Sequence, residues 1–313
     1  MEKKTVDVII PAYRPGEGWK QMLRGLEGQT WPVHRLIVMN TGKENWKAAY
    51  EKTTISMEVH HLTREEFDHG KTRDQAARMS RADYLLFMTQ DALPEDCHLI
   101  EKLVEAIEQD EKIGAAYARQ LPREDCRLME QYTRQFNYPE QSRVKTKADI
   151  PTLGIKTFFC SDVCAAYRRD LFEELGGFES PVIFNEDMFF AANAIEHGYG
   201  VAYAADAKVV HSHNYTMGQQ FRRNFDLAVS QKQHSEIFEQ VSSEAEGMKL
   251  VKSTIAYLFK IRKPWLIFHF GTQCVGKYAG FWMGKHYEKL SRKQILKYTM
   301  NPGYWDMRED VHE

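Results

Sequence analysis

Along the first 120 residues, short apolar runs alternate with longer stretches in which apolar side chains recur every three or four positions. VDVIIPAY (6–13), RLIVMN (35–40), SMEVHHL (56–62), YLLFM (84–88) and AAYARQL (115–121) read as strands. WKQMLRGLEGQ, NWKAAYEK, GKTRDQAARMS and CHLIEKLVEAIEQD between them have helical spacing. Such alternation implies right-handed crossovers and a mostly parallel α/β sheet flanked by helices. Tyr84 to Met88 are all large and apolar, as suits an interior strand covered on both faces. Thr89, Gln90 and Asp91 then break the pattern, which puts a carboxylate at a strand exit, where ligands of such sheets gather.

The second half is less regular. Pro122 to Pro151 is polar and reads as a long loop crossing the ligand edge. FFCSDVCAAY is a strand candidate, and RRDLFEELGGF a helix stopped by Gly176 and Gly177. NEDMFFAANAIEHGYG reads as another helix ending at Gly198, VAYAADAKVVHSHNYT as two short strands, and the chain beyond Thr216 as helical.

At 313 residues and 43% hydrophobic, the chain can bury a sizeable core as one large domain, or one domain with an appended subdomain. The five cysteines are odd in number and form no CxxC pair, which fits buried thiols of a reducing compartment and gives no zinc site. The opening MEKKTVDVII is too short an apolar stretch for a signal peptide, and no run reaches the ~18 apolar residues of a spanning helix. A cytoplasmic, non-integral protein is expected. The net charge of −2 hides an asymmetry: Val251 to Met300 holds ten Lys or Arg against the single acid Glu288, a local +9 that leaves −11 for the remainder.

Four strand exits carry small or polar residues: Pro11-Ala12-Tyr13, Asn40-Thr41-Gly42, the HGKTRDQAA segment, and Thr89-Gln90-Asp91. Together they outline a nucleotide-sized crevice. Lys71 and Arg73 at a helix start form an anion site of the kind a diphosphate needs, although neither GxGxxG nor Walker spacing is present. A carboxylate facing that diphosphate calls for a hard cation between them, Mg2+ or Mn2+, at Asp91. His211 and His213, two apart on an expected strand, share a face, and one could complete the metal site. Glu186 and Asp187 at a helix entry are ordinary dipole-complementing acids or, beside a sugar nucleotide, a general base for an acceptor hydroxyl.

In these residues the chain resembles the inverting glycosyltransferases of family 2, and within them bacterial rhamnosyltransferases. The stretches that carry the resemblance are VIIPAYRPG, FDHGKTRDQAA, FMTQDALPED, SDVCAAYRRDLFEELGGF, NEDMFFAANAIEHGYGVAYAADAKVVHSHNY and KYAGFWMGKHYEKL, in the family's order over most of residues 5–290. The resemblance implies a GT-A fold with a nucleotide-sugar-binding half (1–120), an acceptor-binding half (121–220) and a helical, basic extension (221–313). It implies a base-binding wall from Pro11, Tyr13 and Asn40, with Ala12 and Gln90 beside it. It further implies diphosphate contacts near Lys71 and Arg73, a metal at Asp91, and catalysis by Glu186 and Asp187, with Asp187 as base. Two departures stand out: the Asp-x-Asp metal motif is reduced to Thr89-Gln90-Asp91, as in the rhamnosyltransferase branch, and Asn40 replaces an acid many members carry. The implied reaction transfers L-rhamnose from dTDP-β-L-rhamnose to a hydroxyl of a glycan acceptor, lipid-linked if the tail serves a membrane.

The aromatic, basic segment 251–297 fits an amphipathic element at the cytoplasmic face of a membrane, packing on the catalytic domain, or a homodimer interface. Nucleic-acid binding ranks last, since no recognised motif accompanies the charge. The rivals are a transferase using a UDP-hexose, a nucleotidyltransferase, and a non-catalytic membrane-bound scaffold. Against the nucleotidyltransferase, the first strand is followed by PAYRPGEGW with a single Arg14 and not a Gly-rich basic loop.

Overall fold

The computed structural model describes residues 3–238, 241 and 243–307. Among the described residues nine strands form one sheet: β1 Val6–Tyr13, β2 Arg35–Thr41, β3 Met57–Leu62, β4 Tyr84–Met88, β5 Leu93–Pro94, β6 Ile113–Leu121, β7 Arg143–Lys145, β8 Cys164–Arg168 and β9 Gly200–Val210. Their spatial order is β3-β2-β1-β4-β8-β6-β9-β5, with β7 paired to β9. β3, β2, β1 and β4 run parallel, as do β6 and β9. β8 lies antiparallel between β4 and β6, which joins the two halves into one sheet.

The period of two decides which side chain faces which layer. Val6, Val8, Ile10 and Ala12 of β1 and Leu86 and Met88 of β4 join one core with the helices Gly18–Glu27 and Leu99–Glu108. Ile9, Leu85 and Phe87 point the other way, into a second core with the helices His69–Met79 and Glu186–Glu196. All five residues of β4 are buried. Each large one contributes about 1.5–3 kcal/mol relative to an exposed position. The acid inside β1, Asp7, is fully buried but satisfied by Arg35 (3.0 Å), His34 (2.7 Å) and the Ser80 hydroxyl (2.7 Å).

Four sequence expectations change. The expected helix NWKAAYEK contains only the 3-10 turn Ala48–Glu51, after another at Lys43–Asn45; Trp46 between the turns and Tyr50 within the second pack edge-on against Trp19. The expected loop 122–151 contains the helix Leu128–Asn137 and β7. That helix is held by partners over a hundred residues away: Tyr132 stacks on Tyr257 at 4.2 Å and its hydroxyl donates to the Ser253 carbonyl. Of the expected strand FFCSDVCAAY only the last four residues, 164–167, are extended in the sheet, because the chain turns at Ser161, whose carbonyl accepts from Cys164 N. The two short strands expected at 201–216 are the single strand β9, whose register against β6 slips at Ala118/Arg119. β9 ends at Val210, so His211 and His213 lie in the irregular segment after it.

The C-terminal part is helical, as expected. Helix Leu266–Lys285 packs along helix Met217–Gln233, and glycine permits the contact. A Cβ on Gly280 would stand 2.1 Å from the Phe221 carbonyl oxygen, and one on Gly284 2.3 Å from that of Phe225. The last helices also buttress the segment before Glu186: Ile183 packs with Phe225, Val229, Ile295 and Trp305. Asp226 accepts from the Thr299 hydroxyl (2.7 Å) and Met300 N (2.8 Å), fixing this closing segment.

Candidate active site

β4 leads directly into Thr89-Gln90-Asp91, and Thr89 N donates to the Val163 carbonyl of the neighbouring turn. Gln90 makes two bonds to the Tyr13 backbone, accepting from its N–H and donating to its carbonyl at 2.9 Å each. Its side chain therefore works as an extra rung of the sheet, tying the exits of β1 and β4 together. Tyr13 is 40% exposed, with the guanidinium groups of Arg14 and Arg64 against its ring and Arg64 donating to its hydroxyl. Pro11 and Ala12 pair in register with Met39 and Asn40 of β2. Asn40 is fully buried; its amide donates to the Gly42 carbonyl (3.2 Å) and contacts His61 (3.0 Å), and its Oδ1 has no hydrogen-bond partner among the described residues.

Asp91, His211 and His213 converge although 120 residues separate them. His211 Nε2 lies 3.6 Å from Asp91 Oδ1 and His213 Nε2 3.5 Å from Oδ2. The ligand atoms of all three lie within 4.8 Å of one another, so the group fits a divalent cation. The surrounding bonds settle the His211 tautomer. Gln120 Oε1 accepts from Arg134, a side chain that can only donate, while Gln120 Nε2 donates to the Ser161 hydroxyl at 2.9 Å. The Gln120 oxygen must therefore accept from His211 Nδ1–H (3.2 Å), which leaves the lone pair on Nε2 aimed at the cluster. Burial pushes His211 down to about 3, and it lowers His213 as well, so both rings are neutral and able to ligate near neutral pH.

A second cluster surrounds the helix entry at Asn185, which has a left-handed backbone (φ 72°) and is held by the Ser230 hydroxyl. Glu186 points inward, 6% exposed, 3.1 Å from Arg73. Arg73 also lies 3.3 Å from Asp162, whose carboxyl accepts from the Tyr167 hydroxyl at 2.7 Å. Asp187 is partly open to the surface and accepts from the backbone N–H of Asp162 (3.0 Å) and of Met188 (2.8 Å). Three carboxyls thus surround one guanidinium. Burial, followed by the charge of Glu186, raises Asp187 to about 7, and burial holds Asp162 well above the usual carboxylate range despite Arg73.

The HGKTR segment meets the acids in an unexpected way. Its helix start is capped by Asp68, which accepts from Lys71 N (2.8 Å) and, through its other oxygen, from Val182 N (2.9 Å). A Cβ on Gly70 would stand 1.9 Å from the Glu179 carbonyl oxygen, so only glycine admits this approach. The motif docks against the turn that leads to Glu186, and Arg73 is 5% exposed and committed to carboxylates. The Lys71 side chain is exposed.

Sequence reading missed Gln120, Arg134, Ser161, Asp162 and Arg223. Gln120 and Ser161 bridge the two clusters, linking His211 to the turn whose Asp162 N–H holds Asp187. Arg223, on helix Met217–Gln233, lies 4.6 Å over the Phe184 ring and 5.9 Å over Tyr215, whose ring is tilted against His213 at 5.0 Å. Among the described residues it makes no hydrogen bond or ion pair. Its only sequence signal was a cation soon after the histidines.

A parallel first half is thus continued by a second half bridged through an antiparallel strand, with the Asp/His cluster and the Glu186-Asp187 pair at one edge. Residues 7–176 match the sequence model of Glycosyl transferase family 2, and the chain belongs to that family. It is 38% identical over 303 residues to the O-antigen chain rhamnosyltransferase RfbN of Salmonella typhimurium, covering 96% of each chain. To the O-antigen chain rhamnosyltransferase WbaN of Salmonella anatum it is 35% identical over 306 residues, covering 96% of this chain and 95% of that one. Among solved structures, the fold is shared with the mannosyltransferase PcManGT of Pyrobaculum calidifontis in complex with GDP-Man and Mn2+ (TM-score 0.59, 16% identity, 98% of this chain and 88% of that one). It is also shared with S. aureus TarS in complex with UDP-GlcNAc (TM-score 0.51, 15% identity, 72% of this chain and 66% of that one).

Proposed function

We infer that this glycosyltransferase moves L-rhamnose from dTDP-β-L-rhamnose to a hydroxyl of a growing, lipid-linked cell-surface glycan, with inversion at the anomeric carbon. The observation that carries the mechanism is Asp187: a partly open carboxylate raised to about 7 and tied by the Asp162 turn to the edge that holds Asp91. A base with that affinity for protons is matched to a hydroxyl near neutral pH. The full-length likeness to two O-antigen rhamnosyltransferases supports the sugar and the glycan.

In this reading residues 1–120 seat the donor, 121–220 present the acceptor, and 221–313 brace the base turn. Asp187 takes the proton of the acceptor hydroxyl as its oxygen attacks the anomeric carbon and the bond to the nucleoside diphosphate breaks. One displacement turns the β-linked donor into an α-L-rhamnoside. Asp91, His211 and His213 would hold Mg2+ or Mn2+, which supplies positive charge against the departing diphosphate. Arg223 adds a cation that makes no ion pair among the described residues, between the histidines and the base turn, and we assign it, in place of Arg73, to the leaving group. Arg73 instead orients Glu186 and moderates the charge around Asp187. Pro11 and Tyr13 line the base pocket, with the buried Ala12 and Asn40 packed behind them.

The test is nucleotide release and product analysis with dTDP-β-L-rhamnose, UDP-glucose and UDP-galactose, each with and without Mn2+, on the wild type and on Asp187→Asn. Release from the rhamnose donor alone, lost in the variant while donor binding persists, is the expected result. Preference for a UDP-hexose would overturn the sugar, and near-normal turnover by Asp187→Asn would overturn the base.

A further inference from the structure

Helix Leu266–Lys285 has two unlike sides. Gly276, Gly280 and Gly284 press onto Met217, Phe221 and Phe225 of the neighbouring helix. About half a turn away at 100° per residue lie Phe268, Val275, Tyr278 and Trp282, 83%, 69%, 68% and 53% exposed. Trp265, 68% exposed, stands at the helix start, where Phe259, Lys260, Arg262 and Lys263 are exposed as well. The glycine contact therefore fixes the aromatic side outward, and packing on the catalytic half is not its use. Soluble surfaces rarely carry a contiguous aromatic stripe of this kind without a partner.

The geometry points to an anionic lipid bilayer as the occupant of this face, with the helix lying along the surface. No helix among the described residues is long and apolar enough to cross a membrane, so the element rests on the bilayer. Apolar and aromatic side chains on one side with Lys and Arg around them are the composition of an interfacial helix. The charge selects between lipid and a second copy of this chain. Ten cations against one acid occupy residues 251–300; Arg292 among them is paired with Asp306 at 2.8 Å, whereas Lys260, Arg262 and Lys263 stand exposed beside the aromatic side chains. A two-fold interface would bring two such cationic faces together, whereas anionic headgroups complement them. Because the supporting helix begins at Met217, shortly after His213, docking also sets the active-site edge at a fixed angle to the membrane.

The experiment is vesicle co-sedimentation of the full chain, with phosphatidylglycerol-containing and with pure phosphatidylcholine vesicles, together with Trp fluorescence and sizing of the lipid-free protein. Anionic vesicles should bind it with a blue shift, weakening as salt is raised, and phosphatidylcholine should bind it weakly. Phe268→Ser with Trp282→Ser should lower partitioning about tenfold or more, and Lys260→Glu with Lys263→Glu should remove the anionic preference, both with unchanged thermal unfolding. Failure to bind anionic vesicles, or equal binding to both, overturns the proposal. So does a wild-type dimer that the Phe268/Trp282 variant dissociates while vesicle binding is unaffected.

Discussion

Replacing Glu186 by Gln tests the electrostatic account of the base directly. In the wild type Asp187 is raised to about 7, first by burial and then by the charge of Glu186. Only the ionised form accepts the proton, so activity must rise with pH through about 7 and level above it. A single titration near 7 leaves about a tenth of the enzyme competent at pH ~6. Glu186→Gln removes the negative neighbour and frees Arg73, 3.1 Å from Glu186, to act on Asp187; both effects lower the Asp187 pKa. Adjacent buried charges interact by more than about 1.4 kcal/mol at an effective dielectric near 20, so a fall of about one pH unit is the minimum expected. Normalised to its plateau, the variant should then keep about half its activity at pH ~6, a roughly fivefold relative gain. The assay is kcat/KM for nucleoside diphosphate release from about pH 5 to 9, with unfolding monitored at each pH. An acid limb that stays in place or moves to higher pH would refute the reasoning, whatever happens to the plateau.

Further outcomes follow from particular contacts. Gln120→Leu removes the acceptor that fixes His211 with its lone pair on Nε2 and should weaken Mn2+ binding about 10- to 100-fold by calorimetry, whereas Gln120→Glu, which still accepts from His211 and Arg134, should retain it. Equal affinity in wild type and Gln120→Leu would dismiss the tautomer argument. Arg223→Met should lower kcat about 100-fold while the melting temperature stays close to wild type, because the guanidinium makes no ion pair among the described residues; unchanged kcat would remove Arg223 from the leaving-group site. Gly280→Ala drives a methyl group onto the Phe221 carbonyl, 2.1 Å away, and should cost about 2 kcal/mol, while Gly271→Ala, with open space around it, should be neutral or stabilising by up to about 1 kcal/mol. Calorimetric melting of the two variants checks this, and equal Tm values would contradict the close helix contact.

By itself the sequence determined the layered fold. The five first-half strands and most of their helices are legible because a buried parallel sheet requires apolar runs, and covering helices require a 3.6-residue stripe. It also put Asp91 just beyond β4 and Glu186 and Asp187 at a helix start, since polar residues at the exit of YLLFM or the entry of an apolar helix break an otherwise consistent pattern. It could not show that residues 128–137 are helical, because that segment's apolar side is satisfied by Tyr257 and Ser253, far along the chain. Nor could it show how HGKTR is used. Helix starts attract anions in general, but this one is capped by Asp68 and pressed onto Glu179, so Arg73 faces protein carboxylates. Gln120, Ser161, Asp162 and Arg223 carry no local signature, since an amide, a hydroxyl, an acid and a cation become a site only when tertiary contacts remove their alternative partners. Local pattern reports which faces a segment must bury; the partner of each buried polar group is a long-range fact, decided when β8 inserts between β4 and β6 and brings the two clusters to one edge.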